Sequence, residues 1–273
     1  MTYRTLINQY QNRHHLLLEE IKTVIYYVNG LNYTSLILQY DDEVLNLPRI
    51  RYYLRKLIQG IPVSYAIRQF ENKGTIYYLN RHVLIPRPET LELINIIQKE
   101  QRLQDKIIVD VGTGSGIIGI ELAKETKTKV YLLDISSAAL SVTKRNAKRI
   151  LTITNYQIMK SDLLDALVKA NCQVDLIVSN PPYISKEEIL DKSVFDYEPH
   201  QALFAEPPLY FYQEILKQSL MVLKPNGSLY FEINPLFAET LKDMAQKYYP
   251  QAEITLMRDL YHKVRFLKLI NVK

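Results

Sequence analysis

The chain has 273 residues, of which 47% are hydrophobic, and 34 basic against 29 acidic residues give it a net charge of +5. This hydrophobic content is enough for a packed core and excludes a wholly disordered chain. The basic excess is small and spread along the chain, which is typical of a solvated surface and demands no nucleic-acid partner. The length suits two domains.

No apolar run is as long as a membrane span, and the first residues lack the apolar segment of a signal peptide. A single cysteine, Cys172, excludes an internal disulfide and favours a cytoplasmic location. The five histidines do not have the spacing of a metal site. We therefore expect a cytoplasmic protein with no metal and no membrane association.

Residues 1–70 are predicted to form a small N-terminal helical bundle. Apolar residues recur at three-four spacing in "LLLEEIKTVIYYV", which Gly30 follows, and again in "LPRIRYYLRKLIQG". A further short helix is expected after Pro62. Helical regions without catalytic side-chain types are typical of recognition or packing units. Residues 71–87 then become β-rich, with Asn80 as a turn residue, and are predicted to form a hairpin that links two domains.

From residue 88 to residue 273, strands alternate with helices. The predicted strands are "KIIVDVG" (106–112), "KVYLLD" (129–134), "YQIMKSD" (156–162), "VDLIVSN" (174–180) and "GSLYFEI" (227–233). The helices "GIIGIELAKET" and "SSAALSVTKRNAKRI" follow the first two strands, and "AEITLMRD" and "KVRFLKLI" are expected to form a closing antiparallel pair. Such alternation predicts an α/β fold whose parallel sheet has helices on both faces.

A glycine-rich segment, "VDVGTGSGIIG", follows the first of these strands. Gly112, Gly114 and Gly116 would let the backbone turn sharply and approach a ligand closely. The "GSGIIG" within it satisfies the dinucleotide-binding pattern, and Asp134 lies 20 residues after Gly114, near the position expected to bind a ribose. A nicotinamide-dependent dehydrogenase is therefore one interpretation.

Acidic residues in and after the first three strands favour a different cofactor. Asp110 would suit the ammonium group of a methionine moiety and repel a pyrophosphate, whereas Asp134 fits the ribose hydroxyls of either cofactor. Asp162 could accept a hydrogen bond from an adenine amino group. Each of the three could instead cap a following helix. Together they favour S-adenosylmethionine.

The stretch "VSNPPYIS" (178–185) ends the fourth strand with two prolines, which stop strands. The Asn180 side-chain oxygen and the Pro181 carbonyl could hold the N–H groups of a planar nitrogen and stabilise the positive charge that develops on it during methyl transfer. Tyr183 would stack on the planar group. Asn180, Pro181 and Tyr183 are therefore candidate catalytic residues, although Asn180 could instead cap a turn.

The "NPPY" motif resembles that of methyltransferases that act on planar nitrogens. The stretch "VLIPRPETLELI" (83–94) is similar to the signature of the peptide chain release factor N5-glutamine methyltransferases, and "FDYEPHQALFA" (195–205) and "RDLYHKVRFL" (258–267) match the same family. The resemblance covers nearly the whole chain. It implies a Rossmann-like, seven-stranded class I methyltransferase domain over 88–273, behind an N-terminal helical bundle that docks the substrate.

The resemblance further implies methyl transfer from S-adenosylmethionine to N5 of the glutamine in the Gly-Gly-Gln loop of class-1 release factors. The implied cofactor-binding residues are Asp110, Gly112, Thr113, Gly114, Ser115, Gly116, Asp134, Asp162, Leu163 and Asn180. The glutamine amide would be held by Asn180, Pro181, Pro182 and Tyr183. We expect a monomer whose partner is the release factor, without direct nucleic-acid binding.

Other interpretations stay open at this point. A sister family with the same "NPPY" methylates a ribosomal protein glutamine, and related enzymes methylate an exocyclic amine of a nucleic acid base. A non-enzymatic binding module is a further alternative. The chain also departs from the release-factor pattern, since Arg68 replaces a usual glycine, Leu91 replaces a glutamate, and "EINPLFAE" (232–239) replaces a turn that contains glycine and glutamine.

Overall fold

The computed structural model describes residues 1–124, 128–151 and 155–271, and over these residues the chain divides into two compact units. Unit 1 comprises Met1–Phe70 together with Leu190–Tyr197, and unit 2 comprises Glu71–Ile189 and Glu198–Lys273. The segment Leu190–Tyr197, which lies far from the N-terminus in sequence, therefore belongs to the helical unit.

Unit 1 is built from amphipathic helices around a single apolar core. Its first helices are α1 (Tyr3–His14), α2 (Leu18–Asn29), α3 (Tyr33–Leu38), α4 (Leu47–Ile58) and α5 (Val63–Ile67). The buried face of α2 consists of Ile21, Val24, Ile25 and Val28, which recur at the three-four spacing seen in the sequence. The predicted helices around 16–28, 47–60 and after Pro62 correspond to α2, α4 and α5.

A tight hairpin follows α5, with strands β1 (Gln69–Asn72) and β2 (Thr75–Tyr78). Its turn consists of Lys73 and Gly74, whose φ angles are 47° and 77°. Two consecutive residues with positive φ match the twist of a two-residue hairpin turn. The hairpin turn therefore precedes Asn80. Asn80 is a turn residue as predicted, but in a separate turn after β2, where its carbonyl accepts from the Val83 N–H at 3.2 Å and its side chain from the His82 N–H at 3.0 Å.

Unit 2 continues the alternation of strands and helices. Its elements are α6 (Pro88–Glu100), β3 (Ile107–Val111), α7 (Ile117–Ala123), β4 (Lys129–Asp134), α8 (Ser137–Ile150), β5 (Tyr156–Lys160), α9 (Asp165–Lys169) and β6 (Val174–Ser179). After α10 (Lys192–Tyr197) in unit 1, it resumes with α11 (His200–Leu203), α12 (Tyr210–Val222), β7 (Leu223–Glu232), α13 (Ala238–Tyr248), β8 (Glu253–Arg258) and β9 (Val264–Ile270). The predicted end of the α7 helix at residues 125–126 lies outside the described residues.

Seven strands among the described residues form one sheet in the order β5-β4-β3-β6-β7-β9-β8. Strands β3 to β7 pair in parallel, whereas β9 pairs antiparallel with both β7 and β8. This confirms the predicted α/β class and the closing antiparallel pair. The strand order reverses between β3 and β6, and ligands of such sheets lie at the carboxyl ends of the strands at this switch point.

Candidate active site

A cavity of about 460 Å³ opens at the carboxyl ends of β3, β4 and β6. Ten of the sequence-predicted site residues line it: Gly112, Thr113, Gly114, Ser115, Asp134, Asp162, Leu163, Asn180, Pro181 and Pro182. Asp110, Gly116 and Tyr183 do not line it in the described part of the chain. The structure therefore brings together most of the predicted residues from loops that are distant in sequence.

The glycine loop after β3 forms one wall of the cavity. Gly112 and Gly114 have φ angles of 70° and 55°, in the left-handed region that favours glycine. A Cβ atom added at Gly112 would meet no heavy atom within 4 Å, so this position leaves open space for a ligand. Gly116 is the N-cap of α7, where it ends the loop.

Asp110 lies fully buried beneath the glycine loop. Its Oδ2 accepts hydrogen bonds from Thr113 Oγ1 at 2.6 Å and from the Gly119 N–H at 2.9 Å, which ties the loop to α7. Burial raises the pKa of Asp110 to about 6. Its Oδ1 has no hydrogen-bond partner among the described residues, and a buried unpaired oxygen costs free energy until a donor reaches it. An ammonium group is a donor of the required kind.

Asp134, at the end of β4, turns its carboxylate towards the glycine loop. Its Oδ2 accepts from the Gly114 N–H at 2.9 Å and its Oδ1 from the Ser136 N–H at 2.8 Å. A carboxylate offers about four lone-pair sites, so each oxygen can still accept a hydroxyl. Burial raises the pKa of Asp134. The alternative role as a helix cap is wrong, because Ser136 caps α8 by accepting from the Ala139 N–H at 3.2 Å.

Asp162 and Leu163 line the cavity beyond the end of β5. Asp162 is not the cap of a helix either, since Leu164 is the N-cap of α9 and the Ala166 N–H in its first turn donates to Ser161 Oγ at 3.0 Å. Leu163 has a φ angle of 49°, which is uncommon for a residue with a branched side chain. The loop is thus shaped to present both residues to the cavity, where an adenine would need an apolar neighbour and a hydrogen-bond acceptor.

Asn180 follows β6 directly and takes part in a chain of hydrogen bonds. Its Nδ2 donates to Thr90 Oγ1 at 3.2 Å, and Thr90 Oγ1 donates to Glu232 Oε2 at 2.6 Å. Because Nδ2 is engaged with Thr90, Oδ1 on the other side of the amide is the atom available to a substrate N–H. Among the described residues, no backbone N–H of a turn donates to the Asn180 side chain, so its observed contact does not favour the turn-capping alternative.

The segment after Asn180 is held by main-chain contacts. Ile184 forms a parallel bridge with Phe204, with the Ile184 N–H donating to the Leu203 carbonyl at 3.0 Å. Tyr183 is half-buried against the core of the sheet, and burial raises the pKa of its hydroxyl. Its proposed stacking on a substrate stays a prediction, because the ring packs beside the cavity wall rather than forming part of it.

Three residues of this region were not singled out in the sequence, namely Thr90, Glu198 and Glu232. Thr90 and Glu198 lie inside the stretches that resemble the family signature, but their types alone gave no reason to prefer them. Glu232 ends β7, and an acidic residue at the end of a strand is the same signal that pointed to Asp134. That signal could therefore have found Glu232.

Residues 1–124, 128–151 and 155–271 contain neither a candidate membrane span nor a candidate metal cluster. No helix in these ranges combines the length and the apolar character needed to cross a membrane. No cluster of three or more His, Cys, Asp or Glu side chains in them is arranged to hold a metal ion.

Known proteins resemble this chain along most of its length. It is 34% identical over 267 residues to the release factor glutamine methyltransferase of Flavobacterium psychrophilum, covering 92% of each chain. It is 38% identical over 239 residues to the release factor glutamine methyltransferase of Leptospira interrogans, covering 84% of this chain and 82% of that one. Residues 90–196 match the family described as Methyltransferase small domain.

The fold is also that of solved methyltransferases. A methyltransferase from Pyrococcus furiosus superposes with a TM-score of 0.51 at 15% identity, over 70% of this chain and 89% of that chain. Family membership sets aside the dehydrogenase interpretation of the glycine pattern. With its cavity at the switch point, its "NPPY" loop and relatives of this similarity over most of both chains, the protein belongs to the release factor glutamine methyltransferase family.

Proposed function

We propose that this protein transfers a methyl group from S-adenosylmethionine to the side-chain amide nitrogen of a release factor glutamine. The observation that carries the proposal is the orientation of Asn180, whose Nδ2 is engaged with Thr90 at 3.2 Å so that Oδ1 is left for a substrate N–H. The relatives' shared name supplies the acceptor, a release factor glutamine. The finer assignment is N5 of the glutamine in the Gly-Gly-Gln loop of class-1 release factors.

The residues of the cavity suit S-adenosylmethionine. Gly112 leaves open space beside the loop, and Asp134 retains acceptor sites for two hydroxyls. Asp110 is buried and does not line the cavity, but its Oδ1 has no hydrogen-bond partner among the described residues. Leu163 and Asp162 supply an apolar and an accepting neighbour for an adenine. When bound, this cofactor supplies a methyl group on a sulfonium centre.

The chain's own residues prepare the acceptor nitrogen. An amide nitrogen is a poor nucleophile because its lone pair is delocalised into the carbonyl. Acceptance of its two N–H groups by Asn180 Oδ1 and the Pro181 carbonyl would fix the nitrogen in line and stabilise the positive charge that grows on it. As the new N–C bond forms, the S–C bond breaks, and the nitrogen then loses a proton to solvent. Positioning of this kind supplies about 7–11 kcal/mol in well-oriented systems.

Unit 1 is proposed to dock the body of the release factor. It exposes several large apolar side chains, with Leu38 80% exposed, Tyr33 61% and Ile37 52%, all on the short helix α3. Apolar groups gathered at a surface are typical of a protein-binding site. Leu38→Asp should then raise the KM for whole release factor and leave transfer to a short Gly-Gly-Gln peptide unchanged. We expect the protein to act as a monomer in the cytoplasm, where translation occurs, without binding nucleic acid itself.

The experiment that tests the function uses S-adenosylmethionine with a labelled methyl group and four acceptors in parallel. These are a class-1 release factor, the same factor with its loop changed to Gly-Gly-Ala, a ribosomal protein fraction and duplex DNA. Label on the first acceptor alone is the expected result. Label on the ribosomal proteins, on DNA, or equally on both release factors would overturn the assigned substrate and leave the methyltransferase itself standing.

A further inference from the structure

Glu232 is a buried carboxylate for which the proposed reaction has no direct use. It is 2% exposed and ends β7. Strands β6 and β7 pair in parallel with Ser179 opposite Phe231, so the next residues along the two strands, Asn180 and Glu232, are level at the carboxyl edge of the sheet. Thr90, on the first turn of α6, connects them.

The three side chains form a directed chain of hydrogen bonds. An ionised carboxylate can only accept, so Thr90 must give its single hydroxyl proton to Glu232 Oε2, at 2.6 Å. The lone pairs of Thr90 Oγ1 are then all that Asn180 can meet, and they accept from Nδ2 at 3.2 Å. An amide turned by 180° would place two acceptors, Asn180 Oδ1 and Thr90 Oγ1, against each other.

We propose that Glu232 is a positioning residue that acts through Thr90 to hold the Asn180 amide with Oδ1 towards the substrate nitrogen. This inference rests on the proposed function, since an acceptor at Oδ1 matters only if the substrate presents an N–H group. It assigns a role to two residues outside the "NPPY" loop.

If the direction of these hydrogen bonds is reversed, Asn180 should stay in place but no longer present its Oδ1 to the substrate. A glutamine or a protonated glutamic acid at position 232 can donate to Thr90 Oγ1. Thr90 can then give its own proton to Asn180, and an amide that accepts this proton lies with Oδ1 towards Thr90 and Nδ2 towards the substrate. A donor facing the substrate N–H repels it, and the charge developing on nitrogen loses its acceptor.

The direction of the hydrogen bonds among Glu232, Thr90 and Asn180 should therefore depend on whether Glu232 is ionised. The charged or titratable groups that influence Glu232 are Arg87 and Glu89 beside the start of α6, Tyr183 after β6, Tyr212 on α12 and Arg265 on β9. Burial raises the pKa of Glu232 to about 7, and the two arginines oppose this rise. The wild-type kcat is then expected to increase as pH rises through this region.

The first test compares full-length variants with S-adenosylmethionine and whole release factor. Glu232→Gln and Thr90→Val should each lower kcat by about 10- to 100-fold, the scale for loss of one preorganised polar group, and leave calorimetric cofactor affinity unchanged. Thr90→Ser keeps the hydroxyl and should keep the activity. Glu121→Gln is the matched control, because Glu121 is a buried carboxylate in the same unit that pairs instead with Tyr77 and Lys124.

Two further readouts separate positioning from a structural role. If Glu232 acts through Thr90, the double variant with Glu232→Gln and Thr90→Val should be no slower than Thr90→Val alone, and the Glu232→Gln profile should lack the rise of kcat with pH. Additive losses, or a Glu232→Gln enzyme with wild-type kcat and pH profile, would overturn the proposal.

A spectroscopic arm needs no acceptor and so separates this proposal from the substrate assignment. In protein labelled with ¹⁵N-asparagine, the Asn180 side-chain amide signal, identified by its loss in Asn180→Asp, should titrate with Glu232 and stay constant in Glu232→Gln. A titrating Asn180 signal without methylation of release factor would support the positioning role of Glu232 and overturn the proposed function. Methylation of release factor together with an Asn180 signal that does not change as Glu232 titrates would support the proposed function and overturn the positioning role of Glu232.

Discussion

Arg87 and Glu198 form an ion pair of 2.6 Å between side chains 111 residues apart in the sequence. The second carboxylate oxygen of Glu198 accepts from the Ile85 N–H at 3.3 Å, and the Glu198 side chain is only 1% exposed. One buried carboxylate therefore joins the stretches 83–94 and 195–205. Residues from both stretches, including Leu84 and Ala202, line the cavity.

Glu198→Ala should loosen both walls of the cavity at once, because it leaves Arg87 and the Ile85 N–H without their acceptor. We expect the cofactor Kd to rise about tenfold, in line with loss of a hydrogen bond to a charged group. Isothermal calorimetry with S-adenosylmethionine measures this directly. Glu206→Ala, at an exposed position near the same stretch, is the control, and an unchanged Kd for Glu198→Ala would show that the pair does not shape the site.

Asn180→Ala removes the proposed acceptor of the substrate N–H. Methyl transfer to release factor should slow by about 10²–10³-fold, as for removal of one preorganised group at a charged transition state. Single-turnover kinetics with saturating cofactor isolates the chemical step. A loss smaller than about tenfold would contradict the role given to Asn180.

Asp134→Ala should weaken cofactor binding with little change in fold. The substitution removes the proposed acceptors of two ribose hydroxyls and also leaves the Gly114 N–H without its acceptor, so we expect Kd to rise by about 10- to 100-fold. Calorimetry gives the affinity and circular dichroism monitors the fold. Asp165→Ala, which removes a surface carboxylate paired with Lys169, should bind cofactor normally.

The stability of the protein should depend on pH through two buried carboxyl groups. Burial raises the pKa of Glu232 from an ordinary 4.5 to about 7, and that of Asp110 from 3.8 to about 6. The folded state therefore binds these protons more tightly than the unfolded state. Their contribution to stability is complete below about pH 4 and is lost as pH rises through 6 to 7.

Urea unfolding at a series of pH values measures this effect. Relative to wild type, Glu232→Gln should become more stable as pH rises from about 4 to 8, because the variant has no charge to bury. The same variant is expected to be slow, so a gain in stability would accompany a loss of rate. A stability difference that does not vary with pH would contradict the raised pKa.

Arg68 occupies a position whose backbone favours glycine. It is the C-cap of α5 with a φ angle of 58°, in the left-handed region. Arg68→Gly should stabilise the chain by about 1 kcal/mol, because glycine adopts this conformation without a steric penalty. Calorimetric melting should show a higher midpoint for Arg68→Gly and none of this gain for Arg68→Ala, which retains the Cβ atom. Equal midpoints for the two variants would contradict the argument.

The sequence predicted the central strands well and the contacts between loops poorly. Strands β4 and β6 are apolar runs buried on both faces, and their ends are marked by Asp134 and Asn180, so composition and turn residues locate them closely. Most of the predicted cofactor-binding residues line one cavity because they adjoin those strand ends. The link from Asn180 through Thr90 to Glu232 depends on the register of β6 against β7 and on where the first turn of α6 lies against the sheet. Neither is indicated by the residues next to these positions in the sequence. The hairpin turn was predicted at Asn80 and not at Lys73 and Gly74, because lysine is uncommon at a turn position with positive φ.

The membership of Leu190–Tyr197 in unit 1 has a consequence for synthesis of the chain. Tyr197 donates its hydroxyl to the Gln59 carbonyl at 2.8 Å and packs against Gly60. A ribosome releases residues 1–70 long before residue 197 emerges, so α10 can join the N-terminal helices only after most of the parallel strands are made. Because no residue of α10 is buried and the apolar core of unit 1 is formed by residues 3–67, we expect that core to form first and α10 to dock onto it later.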